Sequence, residues 1–130
     1  MDNIINQPSK AVKIARTLIT NWHKEHFIGV YVNARTKIKR AELISLGTLS
    51  ACLVHPRETF RPAIISSSTG LIVLHNHPSS DVEPSQDDLE VTQRLKKAGE
   101  ILGIELHDHI IFNKRKYLSM KEQKLIKKER

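Results

Sequence analysis

Cysteine is almost missing from this sequence. Cys52 is the only one in 130 residues. That excludes a disulfide framework and any thiolate cluster around a structural metal. Long apolar runs are missing too. None approaches the ~20 residues needed to cross a bilayer as a helix, and residues 1–10 hold no apolar core of signal-peptide type. Together these absences predict a cytoplasmic protein with no membrane partner. Acidic residues are in the minority, 14 against 21 Lys and Arg, for a net charge of +7.

What is present is ordinary for a globular chain: 39% hydrophobic and 27% charged residues. The length suits one domain, able to bury a core without staples. Nucleic acid is the obvious partner for a basic chain. Much of the excess, however, sits in the tail, in Lys114, Arg115, Lys116, Lys121, Lys124, Lys127, Lys128 and Arg130. A basic terminal segment is more often a solvated face than a nucleic-acid clamp. It leaves room for weak, non-specific DNA binding through the tail.

Along the chain, strand and helix patterns alternate. Residues 8–23 have apolar positions at helical spacing, Val12, Ala15, Leu18, Ile19 and Trp22, with Ser9 as a capping residue. Residues 25–33 and 37–46 read as two strands joined by a turn, a hairpin. His55 precedes Pro56 at the start of a second helix, whose inward face is Phe60, Ala63, Ile64 and Ser67. After Gly70 comes the apolar run Leu71-Ile72-Val73-Leu74, a short buried strand. Residues 86–102 form the longest helical pattern, stopped by Gly103 and striped by Val91, Leu95, Ala98 and Leu102. Residues 104–112 read as a strand. Strict alternation there puts Leu106, Asp108 and Ile110 on one face, and His107 and His109 on the other. A short strand at Tyr117-Leu118 and a terminal helix over 119–130, opened by Ser119-x-x-Glu122, complete the pattern. The expected fold class is α/β, a mixed central sheet flanked by helices.

The chemistry concentrates at the end of the strand 71–74. His75 and His77 are two apart, so both imidazoles share one face. Pro78 stops the strand and a polar loop follows. Ser85, with Asp88 three residues later, is the signature of a helix start. Asp88 lies on the same helix side as Val91 and Leu95, so its carboxylate points toward the sheet. Two imidazoles and one carboxylate form a three-ligand set for one zinc ion, with a fourth position left for water. That is the pattern of a catalytic site. Zinc lowers the pKa of such a water to about 7 and polarises a carbonyl. The Ser85 hydroxyl either caps the helix or donates to the water or a developing oxyanion. His107-x-His109 is a rival pair, but no third ligand follows it at sensible spacing.

His75-x-His77, seven residues, then Ser85-x-x-Asp88 resembles the JAMM (MPN-plus) signature of zinc isopeptidases. Gly47-Thr48-Leu49, Val54-His55-Pro56-Arg57-Glu58, His75-Asn76-His77-Pro78-Ser79, Pro84-Ser85 and Asp108-His109-Ile110-Ile111 look like the RadC family of bacterial proteins. The resemblance runs over residues 8–122. It implies a JAB/MPN (cytidine-deaminase-like) architecture, zinc on His75, His77 and Asp88, and hydrolysis of an amide or isopeptide bond in a peptide or protein. It also implies a general-base glutamate on an early strand, a position that Glu25 occupies, with Glu42 as the substitute. Asp108 and His109 belong to the family pattern and are expected near the site. The family loop usually has glycine where this chain has Ser80; a positive φ there would cost serine about 1 kcal/mol. Longer RadC-like proteins carry a DNA-binding-type extension ahead of this domain, which these residues lack.

Two other classes compete. The RadC name is associated with DNA repair, which implies an accessory or binding protein with little or no hydrolase activity; strong salt-dependent DNA affinity would favour it. A zinc nucleobase deaminase needs His-x-Glu and Pro-Cys-x-x-Cys, and Cys52 alone cannot supply them.

Overall fold

The structure is a computed structural model that describes residues 3–50 and 53–126. In chain order its elements are α1 (Pro8–Thr17), β1 (His26–Val32), β2 (Ile38–Leu46), α2 (Pro56–Ile65), β3 (Gly70–Asn76), α3 (Gln86–Leu102), β4 (Glu105–Phe112) and β5 (Tyr117–Ser119). The strands form one sheet in the order β2-β1-β3-β4-β5. β3 and β4 are parallel and the other pairs antiparallel, so the sheet is mixed. The α/β expectation holds, with β3 in the centre.

Central position explains composition. β1 and β3 are buried along their whole length and carry almost continuous apolar runs. β2, at one edge, mixes half-buried with exposed residues and has none fully buried. Each face of the sheet buries its own cluster. Phe27, Tyr31, Leu71 and Val73 pack under α2 and α3 with Phe60, Val91 and Leu95. Ile28, Val30, Ile72 and Leu74 pack under α1 with Ala11, Val12 and Ala15. α3 begins at Ser85 and ends on Gly103, whose φ of 72° is the left-handed cap expected of glycine.

Four features differ from the sequence reading. α1 stops at Thr17, capped by Leu18 rather than running to residue 23, and it starts from Gln7 without a side-chain cap from Ser9. Ile64 of α2 is exposed; Thr59 and Pro62 take inward places instead. The terminal helix is not formed over residues 119–126. Ser119 ends β5 and turns follow, while residues 127–130 lie outside the described ones. Ser119 does accept from the Glu122 N–H at 3.1 Å. That local turn is not propagated, because Lys124 adopts a left-handed φ of 59°.

The fourth difference is in β4. Leu71 pairs with Leu106 but Ile72 pairs with Asp108, a register shift that leaves His107 as an extra residue. Leu106 then packs beside Val91 and Leu95, and His109, three residues on, also faces α3. Ile110 and Phe112 lie in the cluster under α1. The strict alternation expected over residues 104–112 is therefore broken by one bulge.

Candidate metal centre

β3 delivers His75 at its C-terminal end, with its side chain only 2% exposed. His77 follows the strand and continues its pairing, its N–H donating to the Phe112 carbonyl at 2.9 Å. The two rings meet edge to face, centroids 5.0 Å apart. α3 brings the carboxylate. The Ser85 hydroxyl accepts from the Asp88 N–H at 3.1 Å, and the Ser85 N–H donates to Asp88 Oδ2 at 2.8 Å, a reciprocal capping box. This fixes Asp88 in the first turn, fully buried and aimed at the sheet. Asp88 Oδ1 lies 2.9 Å from His75 Nδ1, and Oδ2 lies 3.0 Å from His77 Nε2. One ligand atom from each of the three residues falls within 4.8 Å of the others.

Glu25 stands just before β1. Its Oε1 is 2.8 Å from His75 Nε2, and its side chain is 27% exposed. It therefore touches the cluster and reaches solvent. Glu42 sits on the edge strand in an ion pair with Arg40. Of these two carboxylates, Glu25 is the one that contacts His75. The Ser85 hydroxyl is committed locally, donating to Asp88 Oδ2 at 2.8 Å while it caps the helix. Ser80 is not among the residues with positive φ, so serine costs nothing there on that account.

The electrostatics follow from burial. Desolvation alone would raise the Asp88 carboxyl. The hydrogen bonds from His75 and His77, with His109 nearby, overcome it and hold the group well below the usual carboxylate range. The hydrogen bond to Asp88 raises His77 against the opposing effect of burial. His109 is fully buried, which pushes it down to about 4 despite the Asp88 charge.

His109 also tests whether the site suits a cation. Thr92 Oγ1 donates to the Asp88 carbonyl at 2.7 Å, so it accepts from His109 Nδ1, also at 2.7 Å. The Nε2 atom then carries a lone pair. It is buried without a hydrogen-bond partner and faces Asp88 Oδ1 across 3.7 Å. Two electron-rich atoms opposed in a buried space, beside two more imidazoles, form a donor set that fits a divalent ion. Zinc, which takes imidazole nitrogen and carboxylate oxygen, suits it.

Asp108, expected near the site, is turned away from it. Its carboxylate accepts from the Ser119 hydroxyl and from the Lys121 and His109 N–H groups. It anchors β5 and the turns beyond. His107 pairs with Glu105 at 3.4 Å and plays no part in the cluster.

Sequence reasoning missed Asn76 and His26. Asn76 Oδ1 accepts from the His26 N–H at 2.5 Å, and Asn76 Nδ2 donates to the Lys24 carbonyl at 3.0 Å. The residue between the two histidines thus pins the backbone on both sides of Glu25. His26 Nε2 accepts from the Thr20 N–H at 3.2 Å, which leaves Nδ1 to donate to the same Lys24 carbonyl at 2.9 Å. Alternation carried the signal: it turns Asn76 to the face opposite His75, where a buried amide needs partners.

A family model described as a RadC-like JAB domain matches residues 5–125. A UPF0758 protein of Rubrobacter xylanophilus is 46% identical over 123 residues, covering 95% of this chain and 54% of that protein. One from Shouchella clausii is 42% identical over 120 residues, 92% of this chain and 52% of its own. One from Methanosarcina mazei is 35% identical over 134 residues, 98% and 58% respectively. The chain thus spans about half the length of the curated relatives it matches. Matched by the family model over nearly its whole length, and carrying a His-His-Asp cluster that could hold a metal, the chain belongs to the RadC-like JAB domain family.

Proposed function

We propose that this domain is a zinc-dependent hydrolase of JAMM type, holding one zinc per chain and cleaving an amide or isopeptide bond in a peptide or protein. One observation carries the reading. The ligand atoms of His75, His77 and Asp88 lie within 4.8 Å of one another, and the Glu25 carboxylate lies against His75 at 2.8 Å. Bound there, zinc supplies an activated water and polarises the substrate carbonyl.

The chain's own residues do the rest. Hydrogen bonds from His75 and His77 outweigh the cost of burial and keep Asp88 ionised as a ligand at neutral pH. Ser85 fixes its rotamer. Glu25, part-exposed and held by its pinned backbone, takes a proton from the nucleophilic water and returns it to the leaving amine. Ser85 remains the candidate donor to the oxyanion once its bond to Asp88 loosens.

The first test is zinc per chain by elemental analysis of untagged protein, followed by a screen of peptides and lysine-linked isopeptides. About one zinc per chain is expected. Glu25→Gln should keep the zinc and lose hydrolysis by about 10²–10⁴-fold. Zinc lost with Glu25→Gln, or hydrolysis undiminished by it, removes the role given to Glu25. Among the described residues no helix is long and apolar enough to cross a membrane; the site of action in this reading is the cytoplasm. The net charge of +7 favours, as a second reading, a DNA-associated binding role without turnover. It requires DNA affinity that falls steeply with salt.

A further inference from the structure

Beside His77 the surface opens into a cavity of about 350 Å³. Trp22, His23 and His77 line one side, and the β4–β5 turn, with Lys114, Arg115 and Lys116, lines the other. Among the described residues, none that lines it carries a carboxylate. Three consecutive cations in a solvated tail would mean little. These three are on a built turn. Asn113 Oδ1 accepts from the Arg115 and Lys116 N–H groups at 2.9 and 2.7 Å. The Arg16 guanidinium reaches across from α1 and donates to the Asn113 carbonyl through two nitrogens, at 3.2 and 3.0 Å. Asn113 Nδ2 donates to the Ser79 carbonyl at 3.3 Å, which ties the turn to the loop after His77. The backbone of the turn that carries the cations is thereby fixed relative to a metal ligand.

We propose that this pocket receives an acidic side chain of the polypeptide substrate, next to the bond being cleaved. The proposal rests on the hydrolase reading and names its substrate class. A substrate carboxylate entering here meets positive charge in a partly enclosed space, where Coulomb attraction exceeds its value in open water. Binding energy away from the reacting carbonyl would orient that carbonyl over the cluster. Nucleic acid fits less well. A single turn of three cations is short for a phosphate track. The Trp22 ring is no open stacking platform either, since it packs edge-on against Phe112 and has Lys114 Nζ over it at 6.0 Å.

Trp22 is the only tryptophan in the chain, so its fluorescence reports occupancy whether or not anything is cleaved. Zinc-loaded Glu25→Gln protein is titrated with a peptide bearing three Glu residues beside a Gly-Lys isopeptide, with its Gln counterpart, and with oligothymidylate, at about 0.15 M salt. The acidic peptide is expected to change the fluorescence and bind about tenfold or more tighter than the Gln peptide. In a Lys114→Gln/Arg115→Gln/Lys116→Gln triple variant with unchanged zinc content and circular dichroism, that preference is lost. Equal binding of both peptides, no response to either, response to oligothymidylate alone, or an unaffected triple variant would each overturn the proposal. Tight acidic-peptide binding with no cleavage by wild type keeps the pocket and removes the hydrolase reading. Cleavage without acidic preference does the reverse.

Discussion

The chain carries two His-x-His pairs at neighbouring strands, and they have opposite fates. His75 and His77, on and just beyond β3, converge on Asp88 with their rings 5.0 Å apart. His107 and His109, on β4, are separated by the bulge opposite Leu71 and Ile72. His109 turns to α3 and Asp88, while His107 stacks over Gly70 and pairs with Glu105. Identical spacing is therefore not what makes a site. A parallel strand ending at a helix N-terminus does, because the capping box of that helix presents a carboxylate to the strand's last side chains. β4 ends instead in a tight basic turn and has no such partner.

The largest test of this contrast is metal content. His75→Ala, His77→Ala and Asp88→Ala should each drop zinc from about one per chain to near zero, whereas His107→Ala leaves it unchanged by elemental analysis. A His107→Ala protein without zinc would erase the distinction between the pairs.

A smaller effect separates His107 from His109 by pH. Burial lowers both below the ordinary histidine value of 6.5, His109 to about 4. The unfolded chain then takes up protons near 6.5 that folded His109 accepts only near 4. Stability of the metal-free protein must fall as pH drops through that window, by up to about 1.4 kcal/mol per pH unit for His109. His77, raised by Asp88, has the opposite sign: its contribution is present at low pH and lost as pH rises past its folded value. Urea midpoints measured from pH 7 to 4 should show a slope that flattens more in His109→Gln than in His107→Gln. Equal slopes in the two variants would count against the burial difference.

The smallest effect concerns Gly70. A Cβ there would lie 2.3 Å from His107 Nε2 and 3.1 Å from the Glu105 carbonyl. Gly70→Ala should cost about 1–3 kcal/mol, and His107→Ala in the same chain should recover about half of it. No recovery in the denaturation midpoint would show that the backbone carbonyl, not His107, sets the limit.

Much of the ligand cluster was readable in advance. The period of two in β3 and the Ser-x-x-Asp helix start are local rules, and both point their side chains at one place. Glu25 came from family resemblance, because a lone glutamate has no local signature. Asn76 and His26 escaped because their importance is a set of hydrogen bonds to backbone fifty residues away in sequence, which no periodicity encodes. α1 was overextended for a similar reason. Leu18, Ile19 and Trp22 keep helical spacing, and all three do pack against the α1-side core. They reach it from turns, because Thr20 must meet His26 and Trp22 must meet Phe112.

The sequence by itself determined the hairpin, the buried β3, α3 with its two caps, and the three side chains that could hold a metal. Each depends on residues within a few positions of one another, where sterics, pleat and capping act without the rest of the fold. Tertiary structure alone decided which histidine of β4 would join Asp88, where α1 would stop, and that the segment after Ser119 would turn rather than coil into a helix. Those outcomes rest on strand register and on buried hydrogen bonds between distant segments, such as Ser119 to Asp108 and Thr92 to His109. Such bonds exist only once the sheet has brought their partners together.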